Sequence, residues 1–334
     1  MRAWVLDKPA PIESAPLSLR ELPDPAPRAG EIAVDVSVCG LCRTDLHVIE
    51  GELAPRRAAI VPGHQVVGRV AALGEGAGRF ALGARVGVAW LWRACGACGY
   101  CLRGDENLCR APTFTGWHEN GGFAERVRVP EAFAYALPES LDDDSAAPLL
   151  CAGIIGFRAL RRSGIRAGGK LGLYGFGSSA HIALQIARHW GARVFVVTRE
   201  ASHRALALEL GAEWAGDLDA RPPEPLDASV LFAPAGTLVP PALEALAPGA
   251  TLACAGIHMS EVPALDYARH LFEERTLTSV TANTRADGRE LLSLAAEIPL
   301  RPRTTAVEFA RANQGLLALK NGLIVGSGVL QIRR

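Results

Sequence analysis

A glycine-rich turn in the middle of the chain constrains the fold more than any other feature of the sequence. It follows an apolar segment, precedes a helical one, and contains Gly175, Gly177, Ser178, Ser179 and Ala180. The first glycine of such a turn permits a tight reversal, the second lets a pyrophosphate approach the backbone, and a small third residue allows close helix packing. Phosphate would then lie at a helix N-terminus, where N–H groups and the helix dipole favour an anion. The turn predicts a dinucleotide site, and the alternative is a strand-to-helix turn without a ligand.

Apolar segments and helical segments alternate on both sides of this turn. Five segments are predicted strands: KLGLYGFG, ARVFVVTR, DASVLFAP, ATLACAGI and RTLTSVTA. Alternation of this kind predicts βαβ units and a parallel sheet. Between the strands, the helix SHRALALELG is expected to begin after an N-cap at Ser202 and to end at Gly211. Residues 151–283 are therefore predicted to form a doubly wound Rossmann domain.

The end of the second predicted strand bears on cofactor choice. A chain that binds NAD places an acidic side chain there, about 20 residues past the glycine-rich turn, against the ribose 2′-hydroxyl. This chain has Thr198 and Arg199 instead. A guanidinium matches a 2′-phosphate in charge and geometry, so NADP is predicted over NAD. The alternative is that Arg199 is a surface residue paired with Glu200.

The first part of the chain has the pattern of a β-rich domain. Ile32, Val34, Val36 and Val38 alternate with smaller or polar residues, as in a half-buried strand. Residues 1–150 are predicted to form this domain. The segment 284–334, with the helix ADGRELLSLAAE and a final strand near GLIVGSGVLQI, has no place in a completed parallel sheet. We expect it to return to the first domain.

Four cysteines form a tight array, C-x2-C-x2-C-x7-C, at Cys95, Cys98, Cys101 and Cys109. Four thiolates at this spacing suit one tetrahedral ion, and they leave no ligand position for a substrate. The array predicts a closed structural zinc site. A disulfide framework is the alternative, but such frameworks belong to small secreted chains that cannot build a core.

Composition and charge exclude several classes of partner. The chain has 334 residues, with 35 basic and 35 acidic side chains spread along it, so no basic patch for nucleic acid is expected. No apolar run approaches the roughly 18 residues of a membrane span, so no membrane partner is expected. The N-terminus has charge and proline where a signal peptide would be apolar. We expect a cytoplasmic protein, in which clustered cysteines favour metal over disulfide.

Three separated segments contain further metal-binding side chains: CGLCRTDLH at 39–47, PGHQ at 62–65 and PLLCAG at 148–153. Two cysteines and a histidine from these segments could supply three ligands and leave one open position, as in a catalytic zinc site. Taken singly, each has a simpler interpretation, because cysteine is commonly buried and a lone histidine is commonly a core residue.

Together, these motifs resemble those of the zinc-containing medium-chain alcohol dehydrogenases. The resemblance covers nearly the whole chain, and the motifs occur in the family's order. It implies an α/β fold with a GroES-like catalytic domain, a Rossmann domain and a C-terminal tail that rejoins the first domain. It also implies reversible hydride transfer between an alcohol and NADP or NAD, two Zn²⁺ ions per chain, and a homodimer or homotetramer.

The resemblance assigns roles to individual residues of the first segment. It implies that Cys42, His64 and Cys151 bind the catalytic zinc, and that Asp45 hydrogen-bonds the far nitrogen of His64. Thr44 would meet the substrate oxygen. His47 would end a proton relay through the nicotinamide ribose, and Arg43 would contact the cofactor pyrophosphate.

The resemblance also suggests a substrate pocket. Trp90 matches a position that lines the pocket in some relatives, and Trp92 is close enough in sequence to compete for that role. Trp117 is a further candidate for the entrance. A large aromatic wall would favour small primary alcohols or slim chains, because it excludes bulk. Either indole could instead fill core.

Two positions depart from the family pattern and keep a non-catalytic sensor open, and two further rival functions are judged on other features. Gln65 stands where the family usually has glutamate beside the ligand histidine, and Ser327 stands where many relatives have an arginine on the pyrophosphate. A zinc-free quinone or enoyl reductase on the same fold is one such function, but it would lack the ligand set. A non-catalytic cofactor-binding sensor is a second, and a zinc-ribbon protein that binds nucleic acid is a third.

Overall fold

The computed structural model describes residues 1–298 and 300–333. The chain forms two compact units. Unit 1 contains Met1–Cys151, Ala282–Glu297 and Pro302–Arg334, and unit 2 contains Ala152–Thr281 and Ile298–Arg301. The chain therefore leaves unit 1 after Cys151 and returns to it at Ala282 for most of its C-terminal segment.

Most strands of the described residues are short. In chain order they are β1 (Arg2–Leu6), β2 (Leu17–Glu21), β3 (Glu31–Leu41), β4 (Val66–Leu73), β5 (Arg85–Val88), β6 (Leu91–Arg93), β7 (Thr113–Phe114), β8 (Arg126–Pro130), β9 (Ala134–Ala136), β10 (Lys170–Tyr174), β11 (Arg193–Val197), β12 (Trp214–Gly216), β13 (Leu226–Leu231), β14 (Leu246–Cys254), β15 (Thr276–Ser279), β16 (Thr304–Glu308) and β17 (Ser327–Gln331).

The helices of the described residues occur in both units. They are α1 (Arg43–Glu50), α2 (Gly99–Leu102), α3 (Asp143–Pro148), α4 (Ile154–Ser163), α5 (Ser178–His189), α6 (Ala201–Glu209), α7 (Val239–Glu244), α8 (Tyr267–His270), α9 (Arg285–Glu297) and α10 (Ala312–Lys320). None of these helices is long and apolar enough to cross a lipid bilayer.

Unit 2 is built on a parallel sheet with the strand order β12-β11-β10-β13-β14-β15. The order reverses between β10 and β13, and ligands of doubly wound sheets bind at the carboxyl ends of the strands at such a reversal. The predicted Rossmann fold is confirmed. The strand β12 was not predicted, because its three residues are too few to show a period.

The predicted start of α6 is wrong. The helix begins at Ala201, and its N-cap is Glu200 rather than Ser202. The backbone N–H groups of His203 and Arg204 both donate to the Glu200 carbonyl, so the first turn forms upstream of the serine. Gly211 follows the end of the helix with φ +90°, a left-handed conformation that favours glycine.

Unit 1 is built around β3, which pairs with β4, β8 and β17 in a mostly antiparallel sheet. Ile32, Val34 and Val36 of β3 are fully buried, which agrees with the alternation in the sequence. The C-terminal strand β17 lies antiparallel beside the end of β3, with Gly328 opposite Leu41. The end of the chain therefore supports the strand that leads directly to Cys42.

Candidate active site

The side chains of Cys42, His64 and Cys151 meet in unit 1. The two sulfur atoms are 4.0 Å apart, and His64 Nε2 is 3.3 Å from Cys151 Sγ. All three donor atoms lie within 4.8 Å of one another. Tetrahedral zinc with Zn–S bonds of about 2.3 Å would separate two sulfurs by about 3.8 Å. Both the chemistry and the spacing of these donors fit a zinc ion.

Three local structures bring these donors together. Cys42 is the N-cap of α1 and directly follows β3, while Cys151 lies in a π-helical turn at Leu149–Gly153. His64 follows Gly63, whose φ is +97°. A Cβ atom at Gly63 would come within 2.5 Å of the Phe123 ring, so only glycine permits this backbone path to the histidine.

Asp45 orients two of the donors. Its Oδ1 accepts hydrogen bonds from His64 Nδ1 at 2.9 Å and from the Gly63 N–H at 3.2 Å, and its Oδ2 accepts from the Cys42 N–H at 2.9 Å. The carboxylate is buried. Because Nδ1 donates to Asp45, Nε2 is the nitrogen that presents a lone pair toward the two thiols.

Two of the three donors, His64 and Cys151, hold protons that a metal ion would displace. The hydrogen bond from Cys151, with a smaller contribution from His64, lowers the pKa of Cys42 although burial opposes this shift, whereas the same contact and burial raise the pKa of Cys151. Burial opposes charge on His64, but the charge and hydrogen bond of Asp45 raise its pKa to about 10. Zinc binding at neutral pH would therefore release protons.

The other residues implied by the resemblance lie along α1. Arg43 is the exposed first residue of the helix, and Thr44 is buried with its backbone N–H 3.4 Å from Cys42 Sγ. His47 follows one turn later, and its Nδ1 contacts Glu52. The helix α1 therefore contains both Thr44 and His47 within its first five residues, directly after Cys42.

The four-cysteine array also forms a compact group. Cys101 Sγ is 3.8 Å from Cys95 Sγ and 3.6 Å from Cys98 Sγ, and all four sulfurs lie within 4.8 Å of one another. Backbone N–H groups point at the sulfurs: Cys95 N–H donates to Cys109 Sγ at 3.2 Å. Hydrogen bonding from the Cys101 backbone lowers the pKa of Cys98 to about 6. This donor set fits a closed tetrahedral zinc site.

The two candidate pocket tryptophans lie in different surroundings. Trp90 packs edge-on against the ligand His64, with ring centroids 4.9 Å apart, and stacks with Phe114 at 4.9 Å and Trp117 at 6.0 Å. Trp92 instead donates from its indole N–H to the Arg128 carbonyl at 3.3 Å. Trp90 and Trp117 thus form an aromatic wall next to His64, whereas the indole bond of Trp92 is made to a backbone carbonyl of β8.

The glycine-rich turn of unit 2 has the geometry of a phosphate-binding loop. Gly175 has φ +85°, and a Cβ atom there would lie 2.8 Å from the Ala233 backbone nitrogen. Gly177 is exposed and is the N-cap of α5, and no atom lies within 4 Å of where its Cβ would be. Ser178 and Ser179 form the first turn of α5, and Ala180 is fully buried. The open side at Gly177 leaves room for an anion at the helix N-terminus.

The residues after β11 separate into a buried and an exposed side chain. Thr198 is buried and its backbone N–H donates to Gly216. Arg199 is 78% exposed and donates to Glu200 Oε1 from Nε at 3.0 Å and from a terminal nitrogen at 2.7 Å. The pairing of Arg199 with Glu200, which the sequence left as the alternative, is therefore present.

The two departures from the family pattern are both buried. The Gln65 side chain lies flat against Gly40, where a Cβ atom would come within 2.8 Å of Gln65 Nε2. Gln65 Oε1 is one of the buried polar atoms for which the described residues supply no hydrogen-bond partner. Ser327 begins β17 and is 2% exposed.

Sequence reasoning did not identify several residues of the site. Phe114 and His118 complete the aromatic wall, but neither lies in a recognisable motif. Arg285, which binds Glu106 beside the four-cysteine array, comes 179 residues later in the chain. In the sequence, Glu52 is distinguished only by its position directly after Gly51, the glycine at which α1 ends.

Comparisons with known proteins agree with this fold. Residues 28–139 match the family described as alcohol dehydrogenase GroES-like domain, and residues 180–297 match the family described as zinc-binding dehydrogenase. The "Probable alcohol dehydrogenase AdhA" of Mycobacterium tuberculosis (strain CDC 1551 / Oshkosh) is 50% identical over 337 residues, which cover 99% of this chain and 97% of that protein.

Solved structures resemble the whole chain as well. A cinnamyl alcohol dehydrogenase from Sorghum bicolor has a TM-score of 0.89 at 26% identity, covering 99% of this chain and 97% of that one. An NAD-dependent alcohol dehydrogenase has a TM-score of 0.89 at 25% identity, covering 100% of both chains. The chain belongs to the zinc-containing medium-chain alcohol dehydrogenase family.

Proposed function

We propose that this protein is a zinc-dependent alcohol dehydrogenase. It would transfer hydride reversibly between a small alcohol and a nicotinamide cofactor, with an aldehyde or ketone as the oxidised product. The observation that carries the proposal is the convergence of Cys42, His64 and Cys151 donor atoms within 4.8 Å, with Asp45 bonded to the far nitrogen of the histidine. Three ligands leave the fourth tetrahedral position open for a substrate oxygen.

Zinc would supply a Lewis acid that lowers the pKa of the alcohol hydroxyl, and the nicotinamide would supply the hydride acceptor. The chain's own residues would orient the reactants and move the proton. Thr44, two residues after Cys42, would accept the alcohol proton on its hydroxyl oxygen and pass its own hydroxyl proton on along the relay. His47, one helical turn further along, would receive that proton and release it to water.

The aromatic wall supports a preference for slim substrates. Trp90 touches the ligand His64 and is nearly buried, so it would limit bulk close to the metal. Trp117 and Phe114 extend the same apolar surface away from it. Small primary alcohols and unbranched chains fit beside flat aromatic rings better than branched ones.

Two rival functions predict different observations. A zinc-free quinone or enoyl reductase would not need two cysteines and a carboxylate-bound histidine around one point. A non-catalytic sensor would keep the cofactor site and lose turnover, and the neutral Gln65 beside His64 is the residue that favours it. Steady-state rates with primary, secondary and aromatic alcohols and their aldehydes, after two zinc ions per chain have been measured, distinguish the three. No turnover in a fully loaded protein would contradict the dehydrogenase.

We propose NADP as the preferred cofactor, on the strength of Arg199. Its guanidinium is exposed and could turn from Glu200 to a 2′-phosphate, and no carboxylate occupies position 198. Glu200 competes for the same guanidinium donors. We therefore expect Glu200→Gln to raise the ratio of kcat/KM for NADP to kcat/KM for NAD about tenfold, and Arg199→Ala to lower this ratio about tenfold. A wild-type preference for NAD that Arg199→Ala leaves unchanged would exclude this assignment.

Gln65 is expected to alter metal or ligand exchange without abolishing activity. A glutamate at this position could move its carboxylate toward the zinc during ligand exchange. The Gln65 carboxamide has no charge, so it cannot act in this way. We expect Gln65→Glu to change the rate at which a chelator removes the catalytic zinc, with kcat altered less. An inactive wild type that Gln65→Glu makes active would contradict this.

We also propose that the protein is a homodimer or homotetramer, with β15 as the supporting feature. This strand ends the parallel sheet of unit 2, and its sequence, TLTS, has neither the charge nor the proline that usually protects an edge. Tyr267, Phe272 and Leu277 are exposed on the same unit. Light scattering should give a multiple of the 35.3 kDa chain mass, and Leu277→Lys should reduce it.

A further inference from the structure

The end of α1 is shaped so that a carboxylate meets the ring of His47. Gly51 ends the helix with φ +85°, and the Leu53 N–H then donates to the His47 carbonyl at 3.0 Å. This reversal folds the chain back over the last turn of the helix. It brings the Glu52 carboxylate into contact with His47 Nδ1. The backbone reversal places the two residues side by side, and their side chains make the contact.

The backbone reversal is itself constrained by packing. The left-handed conformation favours glycine, and a Cβ atom at position 51 would come within 2.9 Å of the Pro9 side chain. His47 is 17% exposed and Glu52 is 46% exposed. The carboxylate is therefore the more exposed member of the pair.

Other charged groups near α1 have partners of their own. Glu50 accepts from Lys320 Nζ at 2.8 Å and from the Ile12 N–H at 3.0 Å. Lys320 also pairs with Glu13. Arg43 is exposed one turn before His47. Glu52 contacts the imidazole of His47, whereas Glu50 is bonded to Lys320 and Ile12.

We propose that Glu52 is a positioning residue that fixes the tautomer of His47 for proton transfer, an inference that rests on the proposed function. A carboxylate that accepts from Nδ1 keeps the ring proton on that nitrogen, so Nε2 carries the lone pair. Nε2 accepts one proton from the relay, the imidazolium is stabilised by Glu52, and the ring then gives one proton to water. This step is a proton transfer without a change in oxidation state, and it is separate from the hydride transfer between the alcohol and the nicotinamide.

Nitrogen-15 NMR of histidine-labelled protein tests the tautomer directly, in the zinc-loaded protein without cofactor. We expect the neutral His47 ring to carry its proton on Nδ1 in the wild type, and to shift toward the Nε2-protonated form in Glu52→Ala. Glu52→Gln keeps a hydrogen-bond acceptor and should retain the wild-type tautomer. An unchanged tautomer in Glu52→Ala overturns the positioning role.

Kinetics test whether the tautomer matters for turnover. Glu52→Ala should lower kcat about tenfold with little change in KM, and Glu52→Asp should recover part of the loss. In a His47→Gln background, the same Glu52→Ala change should alter kcat less than about twofold, because the ring it positions is gone. Glu50→Gln, which removes a neighbouring carboxylate that does not contact His47, is the matched control.

The outcomes separate this inference from the function on which it rests. If the wild type turns over no alcohol, the proposed function fails and the NMR result still tests the tautomer. If the tautomer shifts in Glu52→Ala while kcat stays within about twofold, the role in proton transfer is overturned. If Glu52→Ala lowers kcat by the same factor in the His47→Gln background as in the wild type, Glu52 acts independently of His47 and the inference is wrong.

Discussion

At the scale of single residues, one buried carboxylate determines how the candidate catalytic site handles protons. Asp45 accepts hydrogen bonds from the ring of His64 and from the backbone of Cys42 and Gly63. Without its negative charge, burial would favour a neutral imidazole. With it, the pKa of His64 is raised to about 10, so the ring in the metal-free protein stays protonated at neutral pH.

The effect of Asp45 on the protonation of His64 predicts the number of protons released when zinc binds. At pH 7 the metal must displace one proton from His64 and one from Cys151, so uptake at this site should release about two. Metal affinity should therefore fall as the pH falls below about 10. In Asp45→Asn, burial lowers the histidine pKa with only Cys42 still opposing it, so the neutral ring is favoured and about one proton fewer should be released.

Calorimetric titration of metal-free protein in buffers of different ionisation enthalpy measures this release. The four-cysteine site contributes equally to wild type and variant, so it cancels in the comparison. Equal proton release by the wild type and Asp45→Asn would mean that Asp45 does not control the protonation of His64.

At the scale of secondary-structure elements, helix α9 from the C-terminal segment anchors the loop that contains the four cysteines. Arg285 donates to Glu106 from its backbone at 2.6 Å, and from Nε and a terminal nitrogen at 2.7 to 3.0 Å. The guanidinium also stacks over the Phe133 ring at 4.5 Å. Glu106 lies three residues before Cys109, so these hydrogen bonds hold α9 to the loop that contains the four cysteines.

Arg285→Ala is expected to destabilise the protein by about 2 kcal/mol, because it removes the charged partner of the buried Glu106 carboxylate and leaves only the backbone N–H of residue 285. The estimate is below that for a fully buried pair, since the Arg285 side chain is 33% exposed. Urea unfolding together with zinc analysis measures the effect. Arg289→Ala, an exposed arginine of the same helix, is the control. The double variant Arg285→Ala with Glu106→Gln should recover part of the loss.

At the scale of the whole molecule, the chain contains two cysteine-rich sites that should respond differently to the same chemical change. Cys42→Ser removes a ligand from the site with an open position, so turnover should fall below detection while the fold and the second zinc remain. Cys109→Ser removes a ligand from the closed site, so stability or solubility should fall first. Zinc content, melting temperature and kcat of the two variants test this, and separate roles would be unsupported if both variants unfolded.

The sequence predicted those features that depend on local pattern. Alternating valines predicted β3, and the spacing of Gly175 and Gly177 predicted a strand-turn-helix unit. Short or irregular features escaped prediction: β12 has too few residues to show a period, and α6 begins before Ser202 because the Glu200 carbonyl accepts the first helical hydrogen bonds.

Contacts between residues far apart in the chain could not be predicted in this way. Trp90 and Trp92 have the same residue type and nearly the same position, yet only Trp90 lies against His64, while Trp92 bonds to Arg128. The bond between Glu106 and Arg285 joins segments 179 residues apart. Nothing in either local sequence specifies the other.

By itself, the sequence of this protein determined which chemistry is possible, because thiols, imidazoles and glycines at particular spacings restrict the metals and cofactors that can bind. Only the tertiary structure decided which side chains meet. Asp45 acts on His64, Glu52 on His47 and Arg285 on Glu106 because the packing of β3, α1 and α9 brings their polar atoms within hydrogen-bonding distance. Such contacts depend on distance in space, which a periodic pattern in one chain segment does not encode.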